Sequence, residues 1–147
     1  MKKLNLLFCY IVLTLCYSLN SCGQSASSSD SIEFCGKNFK APKDCEVIGN
    51  MIKCSNYVFT WTYEPVSDLP RHRKELLAQI SSPKKINVSV LGRDLIGYLS
   101  KVDTYDQLVV VGEINGRGVI VDLYLNKTIN STNDLPEYIM QFIKINP

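Results

Sequence analysis

The sequence predicts an α+β domain: an antiparallel β-sheet of about seven strands, β-hairpin first, with two helices packed on it. Three observations carry this. Residues 45–54 fold back about Gly49-Asn50 and bring two cysteines opposite one another. Between residues 85 and 125 apolar and polar side chains alternate, with Gly-rich breaks. Asp-Leu-Pro occurs at 68–70 and again at 134–136, each time ahead of apolar residues at helical spacing.

The first segment is read as an export signal. Met1-Lys2-Lys3 is a positive start, and Leu4 to Leu19 is mostly apolar. That run is shorter than the roughly 20 residues a membrane span needs, and it ends in Asn20 and Ser21. Leu19-Asn20-Ser21-Cys22 resembles the lipobox of bacterial lipoproteins, with Asn20 the loosest fit. The resemblance implies that residues 1–21 are removed and that Cys22 carries a diacylglycerol on its thiol and, usually, an acyl chain such as palmitate on its amine. Two or more acyl chains hold a protein on a bilayer stably, so the domain needs no apolar patch of its own. Gly23 after the cysteine, where an inner-membrane signal would place Asp, implies the outer membrane. The acidic cluster typical of surface-exported Bacteroidetes-type lipoproteins is missing from Gly23-Gln24-Ser25-Ala26-Ser27, which implies the periplasmic face.

Residues 22–37 read as the lipidated cysteine and a flexible Ser-rich linker, and 38–147 as one α+β domain. Asp30-Ser31-Ile32 matches the short O-glycosylation signal of Bacteroidetes envelope proteins, which makes Ser31 a candidate acceptor. The chain has 16 Lys+Arg and 14 Asp+Glu, and the signal removes Lys2 and Lys3 but no acid. The remainder is neutral, which argues against a nucleic-acid partner. Cys9 and Cys16 leave with the signal and Cys22 is spent on lipid, so Cys35, Cys45 and Cys54 remain in an oxidising compartment.

In the domain, Ala41-Pro42-Lys43-Asp44 is a turn. The hairpin about Gly49-Asn50 pairs Ile48 with Met51, Val47 with Ile52, Glu46 with Lys53 and Cys45 with Cys54. The cysteines fall at a non-hydrogen-bonded position, where side chains lie close, so a disulfide is expected. C-x-x-C redox spacing and a metal-ligand cluster are both absent. Cys35 is left free or available to cross-link a partner. Tyr57 to Tyr63 is a strand with Phe59, Trp61 and Tyr63 on one face. Ser67-Asp68-Leu69-Pro70 opens the first helix, with Leu69, Leu76, Leu77 and Ile80 inward, and Ser81-Ser82-Pro83 ends it. Residues 85–91, 95–102, 107–113 and 118–125 are strands, the last two joined by a longer turn, Asn115-Gly116-Arg117-Gly118. Asn133-Asp134-Leu135-Pro136 starts the second helix, with Leu135, Ile139, Phe142 and Ile143 inward.

This order, with Phe39-x-x-Pro42 near its start, resembles the PsbP-like α/β/α sandwich. That resemblance implies a fold that mostly binds protein partners and seldom catalyses. No nucleophile–base pair or metal set stands at a recognisable spacing, so no catalytic residue, metal or cofactor is assigned. Arg71, His72, Arg73 and Lys74 are a basic run, expected on a solvated face and available for partner contact. Tyr98, Tyr105 and Tyr124 could line a ligand pocket between the sheet and the second helix. Glu113 and Asp122 are expected as exposed hairpin carboxylates. The sequence therefore points to a non-enzymatic, membrane-anchored protein-binding module of the envelope, a toxin-immunity protein or an accessory subunit of a secretion or assembly machine. The alternative is a periplasmic binder of a lipid or sugar.

Overall fold

The computed structural model describes residues 31–146. Its first element is a hairpin that composition alone assigns to linker. Strands β1 (Ser31–Phe34) and β2 (Lys37–Lys40) are joined by Cys35-Gly36, both at positive φ. Two consecutive left-handed residues make the tight turn that matches strand twist. Ile32 and Phe34 point inward and are buried, so this short hairpin is part of the core.

The remaining strands form one antiparallel sheet. They are β3 (Glu46–Ile48), β4 (Met51–Lys53), β5 (Tyr57–Glu64), β6 (Lys84–Val90), β7 (Arg93–Val102), β8 (Tyr105–Ile114), β9 (Arg117–Leu125) and β10 (Ile143–Asn146). Their spatial order is β10-β6-β7-β8-β9-β5-β4-β3. The β3–β4 register is the one expected, and Cys45 and Cys54 form a disulfide with their Cα atoms 4.5 Å apart. That spacing is the value for a non-hydrogen-bonded antiparallel pair, about 4.5 Å. The β8–β9 turn is tighter than expected: Asn115 and Gly116 alone make it, both at positive φ.

One helix, α1 (Leu69–Gln79), follows a 3₁₀ turn at Val66–Asp68. It lies on one face of the sheet, where Leu69, Leu76 and Ile80 pack on Val109, Val111 and Ile120. Leu77, at the margin of the stripe, is half-buried and outside this cluster. The opposite face carries the main core. There Phe34 meets Phe59, Trp61 and Phe142 edge-on, and Phe59 stacks on Phe142. The cover on this side is the β1–β2 hairpin and the segment holding Ile129, Leu135, Ile139 and Phe142.

The fold is therefore mostly β, with 53% of the described residues in strands and 17% helical, and not a seven-strand sheet carrying two helices. The expected second helix is absent. Around it stand only two 3₁₀ turns, Thr132–Asp134 and Ile139–Gln141, followed by β10 along β6. The physical reason begins at Pro136. A residue before proline is pushed from the α region, and Leu135 is extended at ψ 148°. Asp134 accepts hydrogen bonds from the amides of Asn130 and Ser131 and closes a single capped turn. The four residues expected to face inward, Leu135, Ile139, Phe142 and Ile143, are all buried, but no helix carries them. The second helical layer implied by the PsbP-like resemblance is thus missing among the described residues.

Candidate functional site

The central strands bury side chains on both faces, and on the helix face their chemistry changes along the strand. Strand β8 presents Val111, Val109 and then Gln107, and β9 presents Ile120, Asp122 and then Tyr124. The apolar members lie under α1. The polar members begin where the helix gives out: Leu69 sits over Gly118, while Leu76 and Gln79 reach the level of Ile120 and Asp122.

Two cross-strand rows hold the polar groups. Tyr98, Val109, Asp122 and Thr60 are in register across β7, β8, β9 and β5, and Ser100, Gln107, Tyr124 and Val58 form the next row. Ser100 Oγ donates to Gln107 Oε1 at 3.2 Å. Gln107 Nε2 in turn donates to the Asp122 carboxylate, at 3.0 and 3.1 Å to its two oxygens, and to the Tyr124 hydroxyl at 2.9 Å. Among the described residues Ser100 and Gln107 are, with Asp106, the polar side chains buried with the hydrophobic core. Burying such groups is costly unless they are bonded, and here their bonds converge on one carboxylate. Burial raises the Asp122 pKa, while the bonds from Gln107 and Tyr124 pull it down without cancelling the rise. Burial, together with the neighbouring Asp122 charge and hydrogen bond, pushes the Tyr124 phenol up to about 12.

Beside Asp122 a cleft of about 360 Å³ opens between α1 and the sheet, lined by Thr60, Thr62, Ile120 and Asp122 below and His72, Glu75, Leu76 and Gln79 above. His72 also faces Glu64 at the end of β5, 3.7 Å from its carboxylate. The volume lies at the lower end of the usual range for small-molecule sites, about 300–1,000 Å³.

The residues singled out from sequence are only partly gathered here. The basic run does not form one solvated face. Arg71 is outward and pairs with Asp68 and Glu75, and Lys74 is exposed. His72 turns to the cleft. Arg73 turns inward and donates to the Val111 carbonyl at 2.9 Å, one residue beyond the last β7–β8 pair, Gly97 with Val110. Its Nε is buried with no hydrogen-bond partner among the described residues.

Tyr98, Tyr105 and Tyr124 share the helix face, but the pocket expected under a second helix does not form, because that helix is absent. None of the three lines the cleft, and Tyr105 stands exposed at the β7–β8 turn. Asp122 is not the exposed carboxylate expected. Glu113 is exposed and pairs across to Gly118, four residues from Asp122 along β9. Sequence reading missed Ser100, Gln107, Thr60, Thr62, Glu75 and Gln79. The available signal was a polar residue at an otherwise apolar strand position, as at Gln107 and Asp122.

Ser31 opens β1 opposite Lys40, and Cys22 lies outside the described residues. Cys35 is free of disulfides and buried, which removes it from the surface a cross-link would need. Burial above all, with the Glu33 charge, raises its thiol pKa to about 11. Its amide donates to the Tyr63 hydroxyl, and its carbonyl accepts from Asn115.

Among the described residues no group of three or more His, Cys, Asp and Glu side chains is placed to hold a metal ion. None of their helices is long and apolar enough to cross a membrane. No described protein family, curated protein or solved structure matches the chain. The geometry thus defines the chain at the level of class: a β-rich domain with one helix and a polar cleft beside it.

Proposed function

We propose that the chain is a lipid-anchored lipoprotein of the bacterial envelope, on the periplasmic side of the outer membrane, whose β-rich domain is a non-enzymatic protein-binding module. The two forms that suit it are a toxin-immunity protein and an accessory subunit of a secretion or assembly machine. The carrying observation is Leu19-Asn20-Ser21-Cys22 directly behind a charged start and an apolar run. The Cys45–Cys54 disulfide supports export, because such bonds persist in oxidising compartments. Residues 23–30 would then be a short leash. At about 3.3–3.6 Å per residue, it keeps the domain within ~30 Å of the lipid. Arg71 and Lys74 are the members of the basic run that face outward for a partner.

The test is membrane flotation with mass spectrometry of the N-terminal peptide. Diacylated Cys22 and release of the Cys22→Ser variant into the soluble fraction are expected. An unlipidated wild-type protein that does not float refutes the anchor. Failure to co-purify any protein from mild detergent extracts would count against the binding module. A second reading, a periplasmic small-ligand binder, is favoured by one observation: the cleft beside Asp122.

A further inference from the structure

We infer that the cleft between α1 and strands β5 and β9 is a binding site for a cationic group, an ammonium or guanidinium, received by Asp122 and Glu75. The inference goes beyond the anchor reading and does not depend on it. Three features carry it, and the first is shape. Three elements converge on the cleft: β5 with Thr60 and Thr62, the Ile120–Asp122 step of β9, and the His72–Gln79 side of the helix.

The second feature is charge. Asp122 and Glu75 line the cleft, and Glu64 stands behind His72. The nearby guanidinium, Arg71, is exposed and divided between Asp68 and Glu75. The carboxylates of Asp122, Glu75 and Glu64 outnumber the one guanidinium beside them, so the site repels anions. An apolar occupant would strip water from Asp122 and leave its charge unanswered, which is costly. A cation instead supplies the missing counter-charge and favours the ionised carboxylate.

The third feature is support from behind. Asp122 is held by Gln107, which is fixed by Ser100 and shared with Tyr124. A carboxylate held this way keeps its orientation before a ligand arrives, which lowers the ordering cost of binding. Thr62 and Gln79 add a hydroxyl and a side-chain amide to the cleft lining, and both can contact the substituents of a bound cation.

The experiment is ¹⁵N-NMR titration of the mature, detergent-solubilised protein. The probes are agmatine, the peptide acetyl-Gly-Lys-Gly-Arg-Gly-amide, and 1,4-butanediol as the uncharged control. Shifts confined to amides around residues 60–62, 72–79 and 120–122 are expected with a cation and not with the diol. Binding should weaken as salt rises. Asp122→Asn should weaken it by about tenfold or more, and Glu75→Gln, whose carboxylate is partly exposed and shared with Arg71, by about two- to fivefold. Response to agmatine and peptide alike supports the site and assigns a free small cation. Response to the peptide alone supports it and assigns a partner's side chain. No shifts with either cation, equal shifts with the diol, or full binding by both variants would overturn the inference, and each leaves the flotation result untouched.

Discussion

Removing the Cys45–Cys54 bridge by the double substitution Cys45→Ala/Cys54→Ala tests how the sheet's far edge is held. The cysteines are separated by 9 positions, so the bond closes a short loop in the unfolded chain. Chain-entropy reasoning for a loop of about ten residues gives roughly 2.7 kcal/mol at 25 °C. In a domain of this size each kcal/mol moves Tm by about 4 °C, so a fall of about 10 °C is expected. The loss should also be uneven. Strand β3 has three residues, pairs only with β4, and carries Ile48 with half its surface exposed. Its amides should lose hydrogen-exchange protection beyond the global change, while those of the central strand β8 follow the global change alone. The assays are thermal unfolding by circular dichroism, with and without reductant, and exchange measured on the oxidised wild type and the variant. A Tm change under about 3 °C with β3 still protected would show that register and side-chain pairing hold this edge without the bridge.

Three further outcomes follow from local geometry. In Gly118→Ala the new Cβ would collide with the Glu64 carbonyl oxygen, a backbone atom that cannot step aside, and press on Leu69. A loss of about 1–3 kcal/mol in urea unfolding is expected, and a neutral substitution would mean the β5–β9 pair is more yielding than its register implies. Asp122 has its carboxyl pKa raised by burial, so its ionised form disfavours the folded state. The native state is spared this below the unfolded carboxylate pKa and bears it once pH rises through the raised folded value. Asp122→Asn should therefore be more stable than wild type near neutrality and lose that advantage in acid; an advantage that persists unchanged at pH 3 would contradict the assignment. Asp134 has the opposite sign. Hydrogen bonds from the amides of Asn130 and then Ser131 hold its pKa down, so its contribution is present above the unfolded carboxylate pKa and is lost as pH falls through the lowered folded value. Asp134→Ala should flatten the acid limb of the stability curve, and an unchanged limb would rule this out.

The two Asp-Leu-Pro segments show where sequence reading holds and where it stops. At 68–70 the tripeptide opens a helix, with Leu69 in the α region despite the proline after it. Arg71 to Gln79 then supplies good helix formers, and Leu69 gains a buried seat on Val109 and Val111. At 134–136 the same tripeptide yields one capped turn and an extended Leu135. Ile143 and Ile145 beyond it pair along β6 at the sheet edge, where β-branched residues suit a strand. The apolar spacing of residues 135–143 was compatible with a helix; Pro136, the turn capped by Asp134 and the edge of β6 together decided against it.

Local sequence pattern sufficed for what neighbouring residues negotiate. It set the β3–β4 register with its disulfide, the antiparallel strands from 84 to 125 and the start of α1, because turn chemistry and two-residue alternation act over a few positions. Long-range packing chose which element covers each sheet face. It drew the β1–β2 hairpin into the core, turned Arg73 inward, and set Gln107 of β8 against Asp122 of β9 from the neighbouring row. These outcomes depend on residues far apart in the chain competing for the same apolar surface, and no local pattern encodes the winner.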